Sequence, residues 1–222
     1  MTTHDGSHLG YYPAFLDLRG RKAVVVGGGA VAYRKIESLL AAGARVVAVS
    51  PKFDPGIEAM AEQGSVRLER REYRRGDLTG AVLAIAATSD RETNSAVREE
   101  ATASNVLLNV VDSPSDSNFI VPSMVRRGEL TVAISTGGLS PALAKRLRQR
   151  IEEIVAPEYG AFLEILGSLR ARVRAELRDQ GARERFWTDV VESDAFELFR
   201  VRGEEAARAR IEEILSTQRT IE

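Results

Sequence analysis

The chain contains no cysteine. Disulfides, thiolate metal sites and cysteine nucleophiles are excluded together. Histidine is nearly as scarce. His4 and His8 are the two present, both in a short polar start that reads as a frayed tail, so imidazole catalysis is not expected. Lysine occurs only at Lys22, Lys35, Lys52 and Lys145, and arginine carries nearly all the positive charge. No apolar run approaches the ~20 residues that span a bilayer. The opening residues lack the charged-then-apolar layout of a secretory signal. A cytoplasmic chain with no membrane association is the expectation. The net charge of −1 gives no global pull toward nucleic acid, and no nucleic-acid partner is expected.

What is present is ordinary for a globular protein. Of 222 residues, 44% are hydrophobic and 28% charged, enough for one large or two small domains with a real core. The positive charge has a slight surplus before residue 150 and the negative charge a slight surplus after it. This mildly favours anionic ligands on the first part.

Strand and helix patterns alternate through the first half. Lys22–Val26 is a short apolar run that fits a buried parallel strand. From Ala30 the apolar residues Ala32, Ile36, Leu39 and Leu40 take helical spacing, and Gly43 stops that helix. Arg45–Val49, Val66–Tyr73, Val82–Ala87 and Leu107–Val111 read as strands. Ile57–Gln63 and Arg91–Ser104 read as helices. The alternation predicts a parallel sheet covered by helices. After Asp112 the rhythm changes. Ser113–Asn118 is loop-like. Phe119–Val121 and Leu130–Ile134 read as short strands joined around Gly128. A helix is expected from Pro141 to about Val155, and helices over Ala161–Leu177 and Phe186–Phe199. The fold class is therefore α/β, in three parts: a Rossmann-like parallel sheet over residues 1–112, a small β-containing segment over 113–149, and a helical domain over 150–222.

Gly27-Gly28-Gly29-Ala30-Val31-Ala32 matches G-x-G-x-x-G/A between a strand and an amphipathic helix, the context that gives the pattern meaning. Gly27 permits a tight turn, Gly29 lets backbone approach a pyrophosphate, and Ala32 allows close helix–strand packing. Free N–H groups at the helix start hold the anion. The acidic residue that commonly holds a ribose about 20 positions on is missing. Val49-Ser50-Pro51-Lys52 stands there instead. Ser50 can hydrogen bond and Lys52 can favour a 2′-phosphate, so these residues leave NAD and NADP both open.

A second glycine-rich stretch runs Ser135-Thr136-Gly137-Gly138-Leu139-Ser140-Pro141. Ser140 is a good N-cap and Pro141 suits a first helical turn. The stretch reads equally as an anion nest or as plain capping. Asp112 closes the run Asn109-Val110-Val111-Asp112 at the carboxyl end of a strand, where open α/β sheets bind ligands. It is the best proton-transfer candidate, against the alternative of a loop-starting Asp that caps a turn.

Together these motifs resemble the precorrin-2 dehydrogenases, which also form the N-terminal part of multifunctional sirohaem synthases. The resemblance rests on Leu18-Arg19 through Gly27–Lys35, Ala84-Ile85-Ala86-Ala87-Thr88-Ser89-Asp90, Asn109–Asp112, Phe119-Ile120-Val121-Pro122-Ser123, and Ser135–Pro141 with Leu143-Ala144 and Leu147-Arg148. They stand in the family's order over residues 12–155. The resemblance implies NAD-dependent oxidation of precorrin-2 to sirohydrochlorin, with NAD favoured over NADP. It places Gly27, Gly28, Gly29, Ala30, Val31, Ser50, Pro51, Lys52 and Thr88 at the cofactor. It makes Asp112 the catalytic aspartate. It implies a homodimer that interlocks through the segment after the Rossmann unit. Precorrin-2 carries many carboxylates, so Ser135, Thr136, Gly137, Gly138 and Ser140 are candidates for substrate binding.

Two departures stand out. Thr136 replaces a serine that can be phosphorylated in a related sirohaem synthase, and residues 156–222 match loosely. No methyltransferase domain is expected after them, so precorrin-2 is expected from another protein. Some members also insert iron. With no cysteine and no core histidine, no dedicated metal site is expected, and dehydrogenase is favoured over combined dehydrogenase and ferrochelatase. A non-catalytic dinucleotide sensor is the other reading, because the fold alone does not decide function.

Overall fold

A computed structural model describes residues 10–221. His4 and His8 lie outside the described residues. The chain divides into two compact units, one reaching Val121 and one beginning at Pro122. Among the described residues no helix is long and apolar enough to cross a membrane.

The first unit is built on mostly apolar strands, with the edge strand Val66–Glu69 alternating apolar and charged residues. β1 (Lys22–Val26), β2 (Arg45–Val49), β3 (Val66–Glu69), β4 (Ala81–Ala86) and β5 (Leu107–Val110) form one sheet in the order β3-β2-β1-β4-β5. All neighbours are parallel. Side chains alternate between two faces, and both faces are buried. Ala23 and Val25 of β1 pack with Ala32, Ile36 and Leu39 of α1 (Ala30–Ala41) and Ile57 of α2 (Pro55–Glu62). Val24 and Val26 pack on the other face with Val97 and Ala101 of α3 (Arg91–Ala103). The chain leaves β1 toward β2 on one side and returns to β4 on the other. That reversal opens a crevice at the carboxyl ends of β1 and β4.

The strand expected over Val66–Tyr73 stops at Glu69. Beyond it the chain folds back onto α3. The Tyr73 hydroxyl donates to the Glu100 carboxylate, which also accepts from the Gly76 and Leu78 N–H groups. Glu100 is only 6% exposed, so three donors hold one buried carboxylate. Arg71 adds a two-pronged ion pair to Asp77 within the same connection.

The strand expected over Phe119–Val121 is absent. Its neighbours instead cover the free edge of β5 with side chains. Asn118 accepts from the Leu108 N–H and Ser117 from the Val110 N–H, while Asn109 donates to the Phe119 carbonyl. A capped edge needs no further strand. Phe119 packs into the core on the α1 side of the sheet.

The second unit opens with an antiparallel hairpin, β6 (Ser123–Arg127) and β7 (Leu130–Ile134), turning at Gly128 with φ +57°. The first hairpin strand thus lies four residues later than the pattern predicts. Five helices follow: α4 (Pro141–Ile154), α5 (Glu158–Glu176), α6 (Gln180–Glu192), α7 (Ala195–Arg202) and α8 (Glu204–Ile221). Phe162, Ile165, Leu169 and Val173 line one face of α5 and pack with Phe186 and Val190 of α6 and Ile211 and Leu215 of α8. The helix expected over Phe186–Phe199 is two helices. The break falls at Ser193, whose hydroxyl accepts from the N–H of Ala195, the first residue of α7.

Two outcomes follow from the Glu100 clamp. Glu100→Ala leaves the Gly76 and Leu78 N–H groups without their acceptor, and should lower unfolding free energy by about 2–4 kcal/mol. Urea denaturation measures this, and an unchanged midpoint would contradict the clamp. Burial, and then the hydrogen bond to Glu100, push the Tyr73 phenol above its ordinary pKa. The unfolded phenol titrates near pH ~10. Its stabilising contribution is therefore complete below about pH 10 and is lost as pH rises beyond it. Tyr73→Phe should flatten that alkaline loss of stability.

Candidate functional site

The loop after β1 is shaped by what its backbone touches. Gly27 is buried with φ +126°, and a Cβ there would stand 2.3 Å from the Ala87 carbonyl oxygen. A Cβ on Gly28 would stand 2.0 Å from the Lys52 carbonyl oxygen. Both glycines are therefore demanded by the protein itself. Gly29 is different. It is exposed, and a Cβ there meets nothing within 4 Å. It forms the N-cap of α1 without a side-chain cap, and no acidic residue occupies the first turn. The first N–H groups of α1 thus face open space beside a residue with no side chain. This is a seat for an anion, and it fits the pyrophosphate of a dinucleotide.

Ser50, Pro51 and Lys52 border this loop. The Asp54 N–H donates to the Gly28 carbonyl at 2.7 Å, and the Ser50 hydroxyl donates to the Lys52 carbonyl at 2.8 Å. Ser50 retains only acceptor capacity. Pro51 and Lys52 are exposed. Asp54 is the nearest carboxylate after β2, and it caps α2 by accepting from the Gly56 N–H.

A cavity of about 750 Å³ opens at the carboxyl ends of β4 and β5. Val31, Thr88, Asn94 and Asp112 are among its lining residues. The Val26 carbonyl accepts from the Ala87 N–H, and the Ala86 carbonyl from the Val111 N–H. These bonds set Thr88 and Asp112 side by side with the glycine loop. Asp112 is exposed and left-handed at φ 60°. Among the described residues its carboxylate accepts no hydrogen bond. Thr88 is fixed at both ends. Its hydroxyl accepts from the Asp90 N–H, and its carbonyl accepts from the Asn94 amide. The other amide atom, Asn94 Oδ1, is buried without a partner.

Several residues in or beside this cavity were not singled out from the sequence. Lys35 lies one turn after Val31 on α1 and is half-buried. Burial and then the Arg34 charge lower its pKa, and the Asp112 charge opposes them. Asp116 accepts from the Ser113 hydroxyl at 2.6 Å and pairs with Arg98 at 3.4 Å. Helical spacing from Val31 and from Arg91 would have pointed to Lys35 and Arg98.

The Ser135–Ser140 stretch belongs to the second unit. Its hydroxyls serve its own backbone. Ser135 accepts from the Gly137 N–H. Thr136 accepts from the Ser140 N–H and donates to the Ser140 carbonyl. Ser140 accepts from the Leu143 N–H and caps α4. Gly137 and Gly138 are exposed with φ +62° and +85°. Gly27–Val31, Ser50–Lys52, Thr88 and Asp112 thus gather in the first unit, and the five hydroxyl and glycine residues in the second.

Comparison with known proteins gives three successive family matches. Residues 14–123 match a family described as putative NAD(P)-binding. Residues 127–154 match the central region of a sirohaem biosynthesis protein, and residues 158–215 a sirohaem synthase dimerisation region. Siroheme synthase 1 of Aeromonas salmonicida is 39% identical over 212 residues, covering 96% of this chain and 45% of that protein. The siroheme synthase of Methylobacillus flagellatus is 42% identical over 204 residues, covering 92% of this chain and 44% of the relative. The chain spans about half the length of the curated relatives it matches. A solved structure named SirC, precorrin-2 dehydrogenase, superposes with a TM-score of 0.75 at 27% identity, covering 91% of this chain and 100% of that one. With its glycine loop, its β4 and β5 ends and its helical unit all falling within those matches in order, the chain belongs to the sirohaem synthase family.

Proposed function

We propose that the chain oxidises precorrin-2 to sirohydrochlorin with NAD as the oxidant. One observation carries the reading: Val31 of the glycine loop, Thr88 and Asp112 line a single cavity. An anion seat, a pocket and an unpartnered carboxylate are the parts that a dehydrogenase of an acidic substrate needs.

When bound, NAD supplies an acceptor for a hydride. Gly27–Val31 hold its pyrophosphate at the start of α1, and Ser50, Pro51, Lys52 and Thr88 border it. Loss of two hydrogens from the substrate is then one hydride and one proton. Asp112 takes the proton onto its carboxylate and releases it to solvent, for which its exposure is suited. The substrate-binding role assigned to Ser135, Thr136, Gly137, Gly138 and Ser140 rests on loop backbone and on the O–H groups of Ser135 and Ser140, which only accept within the loop, since the Thr136 hydroxyl both donates and accepts there.

The same reading assigns residues 1–112 to the cofactor, 113–149 to dimerisation and substrate, and 150–222 to a helical domain. It makes the working protein a homodimer, for which the dimerisation match over 158–215 is the support. It places the reaction in the cytoplasm, a compartment suited to a chain without cysteine.

Incubating the purified protein with precorrin-2 and NAD should convert the absorbance of the substrate to that of sirohydrochlorin. No NAD-dependent product would sink the proposal. Asp112→Asn keeps a residue that tolerates positive φ but removes the proton acceptor. It should cut kcat by about 100-fold or more with NADH affinity unchanged. Full turnover in this variant would remove Asp112 from its role.

The glycines separate cofactor binding from folding. Gly29→Val projects into open space, so it should weaken NADH binding by about tenfold or more while the melting temperature holds. Gly28→Ala meets the Lys52 carbonyl and should destabilise the fold by more than about 2 kcal/mol. NADH fluorescence titration and thermal melting read the two effects.

A further inference from the structure

The face that α3 turns toward the Asp112 cavity is unused by the reaction as derived. Arg91, Asn94, Ser95 and Arg98 all line that cavity. Their spacing of three, four and seven places them on one side of the helix. Arg91 and Arg98 stand two turns apart, about 10 Å along the axis.

Arg91 is badly placed for the protein's own needs. It is the first residue of α3, where a cation opposes the helix dipole. Among the described residues it has no carboxylate or carbonyl partner. Arg98 is held at the cavity by Asp116, at 3.4 Å, and Ser113 fixes Asp116 in turn. Both guanidinium groups are exposed. A local rule broken without internal compensation points to a ligand.

The charge of the cavity supplies the second line. Asp112 and Asp116 put two carboxylates in the same wall. A substrate rich in carboxylates would be repelled from that wall unless cations stood beside it. The α1 N-terminus already provides the seat for phosphate, so these two arginines are left for the other anion.

We propose that Arg91 and Arg98, with the Ser95 hydroxyl between them, form the edge that binds the peripheral carboxylates of the tetrapyrrole. The proposal rests on the reading of the substrate given above. Guanidinium forks suit carboxylates, and two forks on one rigid helix bind two arms of one macrocycle. The edge sets substrate orientation relative to Asp112, and Asp112 does the chemistry.

The test uses the full chain and two readouts. The first is titration with sirohydrochlorin, which needs neither NAD nor turnover. Arg91→Ala and Arg98→Ala should each weaken it about five- to tenfold, and the double charge reversal Arg91→Glu with Arg98→Glu by about 100-fold or more. Arg98→Lys should recover part of the loss. The second readout is kinetic. Each alanine variant should raise KM for precorrin-2 with kcat changed less than about twofold, while NADH binding stays as in the unaltered protein. Added salt should weaken sirohydrochlorin binding to the unaltered protein more than to the double variant.

Unchanged tetrapyrrole affinity in both alanine variants would overturn the proposal. So would a loss confined to NADH, which would assign the arginines to the cofactor's phosphates. An unaltered protein that binds sirohydrochlorin through the arginines yet oxidises no precorrin-2 would leave this edge standing and remove the proposed reaction.

Discussion

The first unit depends on two backbone contacts that no side chain would allow. Gly27 lies against the Ala87 carbonyl and Gly28 against the Lys52 carbonyl. One contact ties the turn after β1 to the end of β4, and the other ties it to the loop after β2. The turn is therefore gripped from both neighbouring strands at once. The Asp54 N–H on the Gly28 carbonyl adds a hydrogen bond to the grip. Gly29 and the first turn of α1 inherit a fixed position from this arrangement. A seat made of N–H groups works only when those groups are already aimed, because reorganising them would consume the binding energy.

The parallel sheet was legible because its strands are buried on both faces and read as short apolar runs. The glycine loop was legible from its strand and helix context, and Asp112 from its place at the end of β5. Less of the rest could be seen. The need for Gly28 arises from a carbonyl 24 positions away, which no local pattern encodes. Glu100 reads as one more solvated helix charge, yet its carboxylate holds Tyr73 and two backbone N–H groups. Phe119–Val121 has strand composition, but Ser117 and Asn118 already satisfy the edge of β5. In sequence the hydroxyls of Ser135, Thr136 and Ser140 read equally as an anion nest or as plain capping. In the structure they close the turns of their own loop, because short polar side chains beside glycine find nearby N–H groups first.

Under the proposed function, anion recognition in this unit divides by chemistry. The phosphate seat is made of uncharged N–H groups and a helix dipole, with no cation in the first turn of α1. The cavity next to it is ionic, lined by Asp112, Asp116, Arg91 and Arg98. The division has a physical reason. A pyrophosphate presents compact oxygens to a fixed cradle, whereas carboxylate arms on a macrocycle are flexible and need longer side chains to reach them. Lys35 responds to the same field. Burial disfavours its ammonium form, and the negative charge of Asp112 opposes that effect.

The backbone at Asp112 narrows the choice of residue there to very few. At φ 60° a Cβ-bearing residue is strained, and among non-glycine residues Asn and Asp carry the smallest penalty. Glycine offers no functional group, and asparagine accepts no proton at neutral pH. Aspartate is thus the residue that both fits the left-handed turn and has a carboxylate able to accept a proton. The turn also holds the carboxylate exposed at the cavity, rather than returning it to cap the Pro114–Asp116 turn, where Ser113 binds Asp116 instead. The same strained backbone that looks like a loop detail is what presents the carboxylate to the cavity.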